Sequence, residues 1–317
     1  MRPAVLIYNP TAGRRRQAAR LGELTALLAG GGWRIETSPT AAPGDATRLA
    51  REAAVGGAGA VFVFGGDGTV REAAAGLLGT GVPLGVVPGG TANVLAHALG
   101  LPPDPLAAAR ALTGAEPRPF DVGLCGATPF LMMASAGFDS HLLARLDPRL
   151  KARLGKAGIA LQAVAELARY RSPRLALIVD GEPASATFVA AQNVPFYGGR
   201  FALAPGARWD DRRLDLVRFT GDGRAALAAF ARDLVRGRHL SRPDVFRQEV
   251  DEVILLGPPG TTVQVDGDPC AEPLPVRIAL AAERLTVLAP ELGLETETLQ
   301  VVPHLWHTRI PWVGDLL

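Results

Sequence analysis

Short apolar runs alternate with stretches whose apolar residues recur every three or four positions through the first hundred residues. Val5-Leu6-Ile7-Tyr8 is one such run, closed by the turn signal Asn9-Pro10, and Leu21, Leu24 and Leu28 then mark one helical face over residues 17–28. The same alternation predicts strands over 33–37, 60–64 and 84–87 and helices over 46–54, 71–78 and 92–99. Such strand-helix alternation implies an α/β domain built on a mostly parallel sheet. Beyond about residue 120 the pattern changes to strands near 130–134, 174–179, 187–191, 213–219, 252–255, 262–265 and 285–288, interrupted by helical stretches near 150–170 and 224–236. The chain therefore divides into an α/β domain over 1–122 and a β-rich, sandwich-like domain over 123–289. A tail from about 290 to 317 carries Trp306, Ile310 and Trp312 among His304, His307 and Arg309, a mix suited to docking back on a domain.

Composition narrows the partners. The chain has 317 residues, ample for two cores, and its 33 Lys and Arg nearly balance 31 Asp and Glu, which argues against disorder and against bulk nucleic-acid binding. Cys125 and Cys270 are the only cysteines and form no CxxC or Cys/His cluster, as in a reduced cytoplasmic protein without a zinc site. The opening apolar run of four residues is shorter than the roughly 7–15 of a signal peptide or the ~20 of a spanning helix. Any contact with a membrane would therefore be made from the aqueous side, by a peripheral protein.

Two glycine-rich turns carry the candidate chemistry. Gly65-Gly66-Asp67-Gly68-Thr69 lies between a buried strand and a helix, where closely approaching backbone amides beside a helix N-terminus suit di- or triphosphate. Asp67 is better placed there for a metal, a water or a neighbouring polar group than for phosphate. The plain alternative is a tight turn capped by Thr69. Gly89-Gly90-Thr91-Ala92-Asn93 repeats the arrangement after the next strand, with Thr91 suited to capping and Asn93 to a polar ligand. Turns at neighbouring strand ends face one crevice, the place where open α/β sheets bind nucleotides, and the Asn9-Pro10 turn with Gly13 adds a third wall. None matches GxxxxGK[ST] or GxGxxG.

Eight blocks in order extend this pattern along nearly the whole chain. To those turns are added Asp121-Val122-Gly123, Ala136-Gly137-Phe138-Asp139, Asn193 with Tyr197-Gly198-Gly199, Asp210-Asp211 with Leu214-Asp215, and Asp266-Gly267-Asp268-Pro269. In these the sequence resembles the diacylglycerol kinase catalytic-domain family, which includes bacterial soluble lipid kinases, YegS-like proteins and sphingosine and ceramide kinases. The resemblance implies ATP bound between the two domains, with Mg²⁺, and transfer of its γ-phosphoryl group to a hydroxyl of a membrane lipid such as diacylglycerol, a sphingoid base or a ceramide. It implies Asp266 as general base, consistent with a chemistry that is mainly positioning and charge neutralisation. It implies nucleotide contacts from Asn9, Pro10, Gly13, Gly65, Gly66, Asp67, Gly68, Thr69, Gly90, Thr91, Asn93 and Asp268, and metal ligation by Asp67, Asp121, Asp211 and Asp215. Two positions depart from the family pattern: Val94 stands where Asp is frequent, and Asp268 where Glu is usual.

Membrane contact has candidate residues. A helix over 150–170 would place Lys151, Arg153 and Lys156 near its start and Leu150, Leu154, Leu161 and Val164 along one side, suited to anionic headgroups or to packing on the protein's own core. Arg14-Arg15-Arg16 suits phosphate, anionic lipid or plain solvation. A homodimer is compatible with the sequence without being required by it. Two other functions stay open: a kinase of a soluble hydroxyl acceptor and a non-catalytic lipid- or nucleotide-binding regulator.

Overall fold

The computed structural model describes residues 1–10, 16–146, 162–199 and 201–290. Its first part is a six-stranded sheet built from β1 (Arg2–Tyr8), β2 (Trp33–Pro39), β3 (Ala60–Gly65), β4 (Leu84–Pro88), β5 (Glu116–Phe120) and a closing strand, Leu285–Ala289. The order across the sheet is β2, β1, β3, β4, closing strand, β5. Pairing is parallel as far as the closing strand, and β5 runs antiparallel to that strand. All six residues of β3 are buried, because helices sheathe a parallel sheet on both faces and leave no solvated side for polar residues to alternate onto. The helices are α1 (Arg16–Gly30), α2 (Asp45–Val55), α3 (Asp67–Leu77), α4 (Val94–Ala98) and α5 (Pro105–Thr113). Helix α5 starts where Asp104 accepts hydrogen bonds from Leu106 and Ala107 and Pro105 occupies the first turn, where no amide hydrogen is needed.

The second part is a sandwich of two six-stranded antiparallel sheets. One runs in the order Glu182–Ala186, Leu175–Val179, Glu252–Leu255, Val276–Leu280, Gly123–Cys125, Thr128–Phe130. The other runs Val245–Val250, Leu214–Phe219, Phe188–Gln192, Met133–Ala136, Val263–Val265, Asp268–Cys270. Phe130, Leu177, Leu216, Val253, Val265 and Ile278 fill the layer between them. A separate apolar cluster, with Phe188, Phe219 and Phe230, joins the helix Gly223–Val235 to the second sheet.

Three sequence expectations change here. The last strand, read as part of the β-rich segment, is inserted between β4 and β5 of the first sheet, since a five-residue apolar strand carries no mark of which sheet it enters. The run at 130–134 is two strands, with residues 131 and 132 spanning the gap between them. Helix α3 begins at Asp67 and not at Arg71, so three of the five residues of the first glycine turn are already helix. Gly13, the arginines Arg14 and Arg15, the basic residues Lys151, Arg153 and Lys156, and the aromatic tail lie outside the described residues. Among the described residues no helix is long and apolar enough to cross a membrane.

Candidate active site

The turns leave the carboxyl ends of adjacent strands. Asn9 N–H donates to Phe64 O at 3.2 Å, and Gly89 N–H donates to Gly65 O at 2.8 Å, so the three turns form one rim. A Cβ on Gly90 would stand 2.5 Å from the Cα of Gly66, so the second turn requires glycine for backbone-on-backbone contact. Helix α3 has no side-chain cap at its N-cap residue, Gly66, leaving first-turn amides for an anion at its positive end. That arrangement fits the phosphates of a nucleotide.

Two residues expected to meet a ligand are spent on the turns themselves. Asn93, in left-handed conformation (φ 50°), accepts from Gly90 N–H at 2.8 Å and donates to Gly90 O at 3.1 Å. Asp67 Oδ1 accepts from Leu95 N–H at 3.2 Å, and the amides of Asn93 and Val94 also bond its carboxylate. Asp67 is thereby the cap of α4, a role the sequence suggested for Thr91, which is exposed. Burial raises the Asp67 pKa against the pull of those amides. Val94 is buried in the first core.

Asp211 feels the charge of Asp121, and Asp215 that of Asp211, but the four carboxylates expected to hold a metal are not gathered as a ligand set. Asp121 Oδ2 accepts from Arg212 N–H at 2.8 Å, and its Oδ1 lies 2.9 Å from Arg284 Nε and 3.2 Å from Arg212 Nη1. Asp215 is paired with Arg247, whose Nε donates at 2.6 Å. Asp211 accepts from Arg213 N–H at 3.0 Å, and Asp67 holds α4. Among the described residues no group of three or more His, Cys, Asp or Glu side chains is gathered to hold a metal ion. Arginines are paired with Asp121 and Asp215 and backbone amides hold Asp67, so these residues do not fit a protein-held Mg²⁺.

Asp266 is placed differently. It and Gly267 form a two-residue hairpin turn between Val263–Val265 and Asp268–Cys270, both with positive φ (51° and 89°), as a type I′ turn requires. Its carboxylate is clasped by three successive amides: Leu131 N–H to Oδ2 at 2.8 Å, and Met132 and Met133 N–H to Oδ1 at 2.9 and 3.0 Å. Asn193 steadies that clasp, its amide nitrogen donating to Leu131 O at 2.8 Å and its backbone N–H to Met132 O at 2.8 Å. On the other side Gly267 N–H donates to Gln264 Oε1 at 2.8 Å, and Gln264 Nε2 in turn reaches Ser135 of the sheet and Asp139 of the helix Phe138–Ala144, both buried. Burial outweighs the three amide bonds and pushes the Asp266 carboxyl up to about 6, with the positive charge of Arg71 drawing it down. A carboxylate at that pKa is still ionised at neutral pH yet is basic enough to share a proton with an alcohol in flight.

The two parts meet here. Arg71 of α3 donates through Nη2 to Asp268 Oδ2 at 2.8 Å, and a Cβ on Gly68 would lie 3.5 Å from the same oxygen. Arg71 and the clasp at residues 131–133 were missed by sequence reasoning. A basic residue one helical turn past Asp67 was the one legible trace, whereas three backbone amides leave none.

A parallel sheet with a phosphate-type rim, facing a buried carboxylate on a β-sandwich, defines a two-part phosphotransferase. Residues 3–125 match the model of the diacylglycerol kinase catalytic domain, and residues 132–289 match that of the YegS C-terminal NAD kinase beta sandwich-like domain. The chain is 33% identical over 258 residues to a diacylglycerol kinase of Mycobacterium tuberculosis, covering 78% of this chain and 82% of that protein. It is 31% identical over 310 residues to a YegS-like relative from Chromohalobacter salexigens, covering 90% and 93%. A solved structure from Bacillus anthracis superposes with a TM-score of 0.77 at 25% identity, covering 90% of this chain and 95% of that one. The chain belongs to the diacylglycerol kinase family and is a kinase of its lipid-kinase class.

Proposed function

We propose that the protein transfers the γ-phosphoryl group of ATP to a hydroxyl of a membrane lipid, a diacylglycerol or a lipid of similar headgroup size, working in the cytoplasm as a peripheral visitor to the bilayer. The observation that carries this reading is the position of Asp266: a clasped, buried carboxylate with a pKa near 6, on a hairpin joined through Asp268 and Arg71 to the helix that opens at the glycine rim. The nucleotide lies with its phosphates on the amides at Gly66 and Gly68 and against Gly90. The lipid hydroxyl approaches from the sandwich side and hydrogen-bonds Asp266 Oδ2, which already accepts one amide bond and keeps a lone pair for it. As the hydroxyl oxygen bonds to phosphorus, its proton passes to that carboxylate. The three amides hold the base in one orientation, the main protein contribution in a reaction that consists largely of alignment.

The test is incubation of purified protein with ATP and total lipid vesicles, followed by mass spectrometry, beside a panel of soluble alcohols and nucleosides. A lipid species gaining one phosphate is the expected result. Phosphorylation confined to the soluble panel refutes the lipid assignment, and binding of ATP without any transfer refutes the kinase assignment.

A further inference from the structure

Arg71 lies one helical turn beyond Asp67, on the side of α3 that faces the sandwich. Its side chain is largely covered, with 20% of its surface exposed, against 50% for its partner Asp268. Its Nε is buried and has no hydrogen-bond partner among the described residues. A guanidinium is a fork of donors suited to phosphate oxygens, and here part of the fork is anchored while a buried donor is left over.

Phosphoryl transfer spreads negative charge over three equatorial oxygens between donor and acceptor, and something must neutralise it. The acidic residues that would have held a cation are bound by arginines and amides instead. Arg71 is a cation that stands, among the described residues, between the glycine rim, one side of which Gly68 shares with Asp268, and the clasped Asp266.

We infer that Arg71 is a catalytic residue of this kinase, its guanidinium binding the phosphoryl group as it passes from the nucleotide to the acceptor, with Asp268 as the positioning residue that holds the fork in place. The inference rests on the kinase reading above and adds the residue that bears the charge. No bond is made or broken at Arg71; it stays protonated throughout.

The experiment compares Arg71→Gln, Arg71→Lys and Asp268→Asn with the wild type in three readings: lipid phosphorylation rate, affinities for ATP and ADP by calorimetry, and the pH profile of kcat/KM. Arg71→Gln is expected to lose about 10²–10³-fold in turnover, the scale of removing one oriented donor to a transition-state charge. It should keep ADP affinity within about threefold while losing any preference for ATP over ADP, because the contact is to the terminal phosphate. Its acid limb should move above pH 6, because Arg71 no longer draws Asp266 down. Arg71→Lys should restore the pH profile but only part of the turnover, and Asp268→Asn should cost about tenfold. Turnover of Arg71→Gln within threefold of wild type overturns the inference. So does equal loss of ATP and ADP binding together with a fall in melting temperature, the signature of a structural brace. A wild type that binds ATP but phosphorylates no lipid would defeat the acceptor assignment alone, and the ATP-against-ADP comparison, which uses no lipid, still judges Arg71. A wild type that binds no ATP overturns both.

Discussion

Replacing Asp266 by Asn separates chemistry from folding at one position. Asn tolerates the left-handed conformation at φ 51° and is favoured ahead of glycine in a type I′ turn, so the hairpin survives. The polar balance has two opposing parts. The amide keeps one oxygen for Met132 and Met133, but its NH₂ faces the Leu131 N–H across 2.8 Å, and a donor set against a donor costs about 1–3 kcal/mol. Against that, a carboxyl held at about 6 in place of its ordinary 3.8 costs the folded protein about 3 kcal/mol at pH 7, a cost the neutral amide does not carry. The two nearly cancel at neutral pH, so melting temperature should change little, while turnover falls by about 10²–10⁴-fold with the loss of the base. The sign with pH is fixed. Because the folded pKa is raised, the stabilisation from the Asp266 proton is full below about pH 4 and is lost as pH rises through about 6. The variant should therefore gain melting temperature relative to wild type between pH 4 and 7, and wild-type kcat/KM should rise through about pH 6 to a plateau. Near-normal turnover of a folded Asp266→Asn protein, or a relative stability that falls as pH rises, would refute the reasoning.

Other substitutions probe the rim. Asp67→Ala strips the acceptor from the amides of residues 93–95, so hydrogen exchange there should accelerate and stability fall by about 1–3 kcal/mol, with turnover lost through the displaced second turn. Gly90→Ala drives a methyl to 2.5 Å from Gly66 Cα, and calorimetry should show weakened nucleotide binding together with about 1–3 kcal/mol of lost stability. Val94→Asp, which would restore the residue frequent in the family, should lower stability by at least about 3 kcal/mol in chemical denaturation, because it buries a charge beside Asp67.

The legible parts of the molecule were those with a local cause. Strand β3 and its neighbours announced themselves because buried parallel strands are short apolar runs, and the glycine turns because backbone contact excludes side chains. The site read less well wherever partners are distant in sequence. Asp121 and Asp215 look like metal ligands until Arg284, Arg212 and Arg247 are found against them, 163, 91 and 32 positions away. The groups that aim Asp266 are main-chain amides some 135 residues earlier, and an amide is the same at every position. The turn at Asp266-Gly267 is a hairpin, and that hairpin sets the direction of the Asp266 side chain.

The strand Leu285–Ala289 ties the order of synthesis to the order of assembly. Among the described strands β5 joins the first sheet only through it, so the ribosome must release nearly the whole sandwich before that sheet can be completed. Cutting the gene near residue 122 would therefore yield a fragment with an open seam beside β4, an unpaired and apolar margin prone to self-association. A module made to fold alone would need the terminal strand grafted directly between β4 and β5, with the sandwich removed as an insertion.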